Sequence, residues 1–239
     1  MKAFRNLSIY FALVLPVAIF AFWQTYFGIL GNLPDTATPL LHVHAGLMFL
    51  WLIMLVSQAW FIRTKRFRPH RWVGRSSYLI APLIIVSSLV TLHGFFNHTP
   101  RDETLGQAFR LNELGFGMVL AFGITWGLAM VYRRQMELHV RYIISTAFAI
   151  ATAIIWRIFY FWVPGCNTDS AAVIGNGCVL GVLLLLLVIV DWRKGVKRSP
   201  YWVVAIVQGI AHLGYWTFAK TEGWFAFCQW YADLPLRGG

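Results

Sequence analysis

Two histidines stand one residue apart in LLHVHAGLMF, His42 and His44, at the head of a long apolar run. Imidazole suits iron, copper and zinc, so the first chemistry to consider is a metal or haem site. Further along, His93, Glu113, Arg157 and His212 also fall within or at the edge of apolar runs, as do Gln58, Gln208 and Tyr215. A strongly polar group in hydrocarbon is costly unless partnered, which makes each of these a candidate for binding or proton chemistry.

Helical phase separates the doublet. Residues on an α-helix advance by about 100° each, so His42 and His44 point roughly 200° apart and cannot close on one ion together. His44 shares a face with Trp51 and Gln58 at seven-residue steps; it is expected to face inward, with His42 at the membrane interface. In the last apolar run Tyr201, Gln208, His212 and Tyr215 follow at spacings of seven, four and three, a polar ribbon that must point into a bundle. At about 1.5 Å per residue, His212 lies roughly 16 Å beyond Tyr201, near a bilayer midplane. Arg157 ends a small-residue stripe from Ala149 and Ala153. Its guanidinium is placed to pair with Glu113 or to take a carboxylate, such as a haem propionate, bidentately.

A second set is denser in charge. FIRTKRFRPHRWVGRSS carries His70, Arg71 and Arg75, and RRQMELHVRYIIST carries His139 and Arg141. Each puts a histidine beside arginines where a helix enters the apolar phase. That pattern suits an anionic headgroup, a quinone or a haem edge; it equally suits arginines that set topology with a histidine capping each helix.

The elements that must position these groups are membrane spans. Of 239 residues, 59% are hydrophobic and 12% charged, about half the charge of an ordinary soluble domain. Seven runs approach the ~20 residues that cross a hydrocarbon core: Leu7 to Leu30, Leu40 to Ile62, Trp72 to His93, Leu114 to Tyr132, Val140 to Trp162, Ala171 to Val190 and Tyr201 to Ala219. None alternates at period two, as a barrel strand would. Fifteen of the twenty Lys and Arg then fall on one side of the map, including Lys2, Arg5, Lys197 and Arg198, with Arg101, Arg110, Lys220 and Arg237 opposite. Cationic loops are retained in the cytoplasm. The expectation is an all-α polytopic membrane bundle of about seven transmembrane helices, one domain over 1–239. Its N-terminus is cytoplasmic and its C-terminus outside, in a bacterial cytoplasmic (inner) membrane. His44, His93, Glu113, Arg157 and His212 then form an outer layer, and the arginine-rich set an inner one.

This orientation accounts for the formal charge of +11 through anionic lipid headgroups on the cytoplasmic side, without nucleic acid. Cys166, Cys178 and Cys228 fall toward the outer side, where Cys166 and Cys178 are able to form a disulfide. The loop GFFNHTPRDETLGQAFRLNE has the length of an ordered cap or short surface helix.

His44, Gln58, the run His70-Arg71-x-x-Gly74-Arg75, the pair His139-x-Arg141 and a late Arg157 resemble the pattern of a family of uncharacterised bacterial multipass membrane proteins, a domain of unknown function. The resemblance covers about Leu40 to Trp162. It implies a membrane bundle in which those positions matter, and it implies no reaction.

The first functional reading is redox chemistry at a haem b or transition-metal site (Cu, Zn or Fe). His44, His93 and His212 would be its ligands, Arg157 would lie near a propionate, and Gln58, Gln208 and Tyr215 would stand around it. A redox-active lipid is the variant of that reading, with a quinone or a larger membrane complex as partner. One site is expected, because His70 and His93 are 23 residues apart, roughly 34 Å along a helix. Two alternatives stand beside it: a metal-dependent membrane lipid hydrolase, for which HExxH and a buried carboxylate base are wanting, and a non-enzymatic lipid or small-molecule transporter or assembly partner. Serine-nucleophile motifs, phosphate-binding glycine loops and CxxC pairs are absent.

Overall fold

A computed structural model describes residues 6–32, 38–98, 104–196 and 199–236. Lys2, Arg5, Arg101, Lys197, Arg198 and Arg237 of the charge map lie outside the described residues. The described chain forms eight α-helices: α1 (Leu7–Ala21), α2 (Pro39–Arg63), α3 (Phe67–His98), α4 (Thr104–Val131), α5 (Met136–Trp162), α6 (Asp169–Arg193), α7 (Tyr201–Trp216) and α8 (Glu222–Ala232). Six segments are long and apolar enough to cross a membrane: Pro39–Arg63, Phe67–Asn97, Phe109–Val131, Met136–Trp162, Asp169–Arg193 and Tyr201–Lys220. The protein is an all-α polytopic membrane bundle.

The first predicted span resolves differently from the rest. Its helix α1 has 15 residues, about 22 Å at 1.5 Å each and short of a ~30 Å core. The chain then turns back on itself. The amides of Phe27 and Gly28 bond the carbonyls of Phe22 and Trp23, at 3.1 and 2.8 Å, and a 3₁₀ turn follows at Phe27–Ile29. Glycine is needed there, since a Cβ at Gly28 would sit 2.8 Å from the Trp23 carbonyl oxygen. At the other end the chain forms a helix that the hydropathy map lacks: α8, capped by the Thr221 hydroxyl accepting from the Trp224 amide at 3.3 Å, with Glu222 in its first turn, both favourable at a helix N-terminus.

Turn chemistry sets the other boundaries. Pro39 opens α2 at the position where its missing N–H costs nothing, and Lys65 takes a left-handed conformation (φ 58°) in the tight α2–α3 turn. Gly195 at φ 77° ends α6, as glycine does at helix C-termini. The loop expected between the third and fourth spans is shorter than its polarity suggests, because α3 runs to His98 and α4 starts at Thr104.

Residues 1–88 and 89–238 are two compact units, the division falling within α3. In the first, α1 packs on α2 and α2 meets α3 at Met54–Ser76, Gln58–Gly74 and His44–Ser87. In the second, α4 packs on α5 and α7, α5 on α6, and α6 on α7. Glycines let these helices approach: a Cβ at Gly117 would collide with the Ala211 side chain, and one at Gly175 with the Phe159 ring.

Candidate functional site

In the first unit the two leading histidines part as their phase predicts. His42 is exposed and shares a 2.8 Å hydrogen bond with the Tyr26 hydroxyl, whereas His44, half-buried, is 3.1 Å from Ser87 Oγ through Nδ1. Ser87 Oγ also lies 3.1 Å from the Ile84 carbonyl one turn back, so the contact joins His44 to the backbone of α3. Gln58 lies on the same helix face, its Oε1 3.5 Å from where a Cβ of Gly74 would be, while its Nε2 is buried without a hydrogen bond. Thus Gly74 of the His70-Arg71-x-x-Gly74-Arg75 run is where α3 passes over Gln58.

The second unit holds a denser polar cluster, built by α5, α6 and α7. His212 Nδ1 donates to the Gln208 carbonyl one turn back at 2.8 Å, and Asn176 Nδ2 donates to His212 Nε2 at 3.2 Å. The ring is thereby held as the tautomer with its proton on Nδ1 and its lone pair on Nε2. Thr152 donates to Gln208 Oε1 at 3.2 Å. Two buried atoms of the cluster, Gln208 Nε2 and Asn176 Oδ1, have no hydrogen-bond partner. Leaving such an atom unpaired in an apolar setting costs about 1–3 kcal/mol, so each calls for a partner such as a water, an ion or a ligand. Asn176 and Thr152 are not among the residues singled out from the sequence. A lone Asn between two glycines in the apolar run VIGNGCV was the available signal.

Beside this cluster a groove of about 140 Å³ runs between α6 and α7. Leu180, Leu184, Leu185, Val188 and Trp202 line it, and His212 and Gln208 supply its polar end. Small residues make the room: Gly177, Gly181, Ala205 and Gly209 border it, and a Cβ at Gly181 or Gly209 would meet nothing within 4 Å. Gly177 is tighter, with His212 Cδ2 3.0 Å from where its Cβ would stand, so it seats the imidazole.

The remaining predicted residues have their own settings. His93 donates from Nε2 to the Leu234 carbonyl at 3.0 Å, accepts from Asn97 at Nδ1 at 3.3 Å, and meets Tyr231 edge-on. It ties the C-terminal segment to α3. Arg157 donates to the Ala153 carbonyl at 3.2 Å and lies over the Trp156 ring at 5.8 Å. Glu113 is buried with its carboxylate against Gly214, where a Cβ would collide with it. Tyr215 is buried against Leu114 and Val173. His139 donates to the Ala129 carbonyl at 2.8 Å. Arg141 is buried, its Nε 2.9 and 2.8 Å from the two Asp191 oxygens, so this predicted anion-binding arginine already has an internal carboxylate. Arg71 and Arg75 are exposed and His70 half-buried.

His44, His93 and His212 are each engaged with a different partner, and among the described residues no group of three His, Cys, Asp or Glu is placed to hold a metal ion. Cys166, Cys178 and Cys228 are free thiols. Cys228, on the inner face of α8, is fully buried with Phe96, Phe109, Trp224 and Tyr231 in one core, and burial pushes its thiol up to about 12. Comparison with family models, curated proteins and solved structures finds no match to the chain.

Proposed function

We propose that this membrane protein binds a lipophilic ligand with a single polar ring, of the quinone class, in the α6–α7 groove. The observation that carries the reading is the fixed His212 tautomer: Nδ1 is spent on a backbone carbonyl, leaving the Nε2 lone pair as an acceptor beside the unspent Gln208 Nε2 donor. A quinone carbonyl would accept from Gln208, and the hydroxyl of the reduced form would donate to His212 in place of the 3.2 Å Asn176 contact. The size agrees: an apolar cavity of about 150 Å³ takes one benzene, and this groove measures about 140 Å³. An apolar tail would follow Leu184, Leu185 and Val188 toward Trp202. Whether the bound molecule is turned over, carried or held as an electron relay follows from what else reaches the groove.

A second reading keeps His212 as a ligand of a transition metal or haem iron. A ligating imidazole ordinarily donates its other N–H to a carbonyl or carboxylate, and the Gln208 carbonyl does that here. A haem is a macrocycle of four pyrrole rings, so α6 and α7 would have to part well beyond the present groove of about 140 Å³ to admit one.

Both readings are tested by one preparation. Protein purified without chelator is extracted with organic solvent and the extract analysed for quinones, beside absorption spectra of oxidised and dithionite-reduced protein and elemental analysis for Fe, Cu and Zn. Co-purified quinone that disappears in H212A and in Gly181→Leu supports the first reading. The leucine occupies open space and replaces a helical glycine, so its thermal midpoint should rise while the ligand is lost. A Soret band supports the second. Neither quinone nor metal, with no stabilisation by an added short-chain quinone, overturns both.

A further inference from the structure

A separate feature lies at the α2–α3 turn. Arg63, Lys65, Arg66, Arg68, Arg71 and Arg75 put six cations into thirteen residues, all exposed. The sole acidic residue in the first 88, Asp35, lies outside the described residues. Like charges four apart on a helix repel, and no ion pair among the described residues engages Arg71 or Arg75, so an external anion would relieve them.

What lies below them on α3 is as specific. Arg71, Arg75, Leu79, Leu83 and Val86 follow at spacings of four, four, four and three, one stripe along the helix. Arg75 also lies over the Trp72 ring at 5.6 Å. Trp72 is 69% exposed, Leu79 66% and Val86 56%, with Tyr78 and Leu83 exposed beside them. From Arg75 to Val86 the rise is about 16 Å, the depth of one leaflet of a ~30 Å core. Charge at the top, two aromatic side chains at interfacial depth and a leaflet's length of aliphatic surface below form the outline of one phospholipid.

We infer that this face of α3 is a binding site for an anionic phospholipid. The phosphate is held by Arg71 and Arg75, the glycerol region rests on Trp72 and Tyr78, and an acyl chain lies along Leu79, Leu83 and Val86. Two arginine forks match phosphate oxygens bidentately, which a diffuse surface potential does not require.

Native mass spectrometry of protein released from mixed phosphatidylglycerol and phosphatidylcholine micelles tests this. Wild type should retain phosphatidylglycerol in preference. At about fivefold per cation near a membrane surface, R71Q/R75Q should weaken that retention roughly 25-fold. R133Q/R134Q, which removes an exposed pair elsewhere, should leave it unchanged. R71K/R75K keeps the charge that sets orientation but loses the fork geometry, so it should insert normally and still retain less lipid than wild type. No headgroup preference in wild type, equal losses in both glutamine variants, or wild-type retention in R71K/R75K would each overturn the assignment.

Discussion

Removing the carboxylate of Asp191 should destabilise the second unit severely, because it strands a buried guanidinium. Arg141 and Asp191 side chains are each 5% exposed, and the Arg141 Nε contacts both carboxylate oxygens within 2.9 Å. Ser199 donates to Asp191 Oδ2 at 2.8 Å and accepts from the Tyr201 amide at 3.3 Å, so the pair also fixes the start of α7. Breaking a buried ion pair by deleting one partner costs about 3–5 kcal/mol. Asp191→Ala removes charge and hydrogen bonds together and should fall near the top, about 4–5 kcal/mol. Asp191→Asn keeps an acceptor for Ser199, and Glu137 Oε2 stands 3.6 Å from Arg141 but is 72% exposed, so its screened help is at most about 1 kcal/mol. About 3 kcal/mol is then expected for the asparagine. The decisive variant is R141M/D191L, which removes both charges and fills the space with apolar atoms; it should recover to within about 1 kcal/mol of wild type. Unfolding in mixed micelles, followed by circular dichroism against SDS mole fraction, measures these three variants and the component singles R141M and D191L. Single variants within about 0.5 kcal/mol of wild type, or a double variant equal to the sum of the singles, would refute the reasoning, since an interaction of this size cannot be additive.

Three further outcomes follow from other contacts. Gly214→Ala should cost about 1–3 kcal/mol by overpacking against the Glu113 carboxylate, and adding Glu113→Ala should restore much of it; thermal melts of the two variants decide, and failure of the second change to help would count against the contact. His93→Phe removes the donor to Leu234 and should loosen the C-terminal segment, seen as faster proteolysis beyond α8 with the spans intact. Cys228 should resist a water-soluble maleimide that labels Cys166, and alkali should weaken its surroundings. Above pH 9 the thiol ionises in the unfolded chain but stays neutral in the fold up to about 12, so stability is lost as pH rises through that window, and Cys228→Ala should abolish this part of the slope.

The six spans were legible because length and hydropathy are local properties, and a helix in lipid must satisfy its own backbone. The phase argument was legible for the same reason: Tyr201, Gln208 and Tyr215 on the α7 ribbon are all buried, and His42 and His44 meet different elements. Pairings were not legible. Arg141 finds its carboxylate fifty residues on, at the end of a leucine run where Asp191 reads as a boundary charge. Helix α8 escaped hydropathy because eleven residues cannot span a membrane, and its role lies in covering Phe96 and Phe109, which no sequence window contains. The polar cluster was half legible: His212 and Gln208 declared themselves by periodicity, whereas Asn176 and Thr152 matter through what faces them.

The contacts of α8 bear on how the chain is made. Tyr231 donates to the Leu89 carbonyl at 2.7 Å, Trp224 to the Phe109 carbonyl at 2.8 Å, and Leu234 accepts from His93. All three reach back more than a hundred residues, to helices the ribosome delivers long before α8. Until α8 docks, Phe96 on α3 and Phe109 on α4 lack the Trp224 and Tyr231 side chains that cover them. The second unit therefore has a vulnerable interval between the insertion of α7 and the docking of α8, in which α3 and α4 are inserted but unsealed.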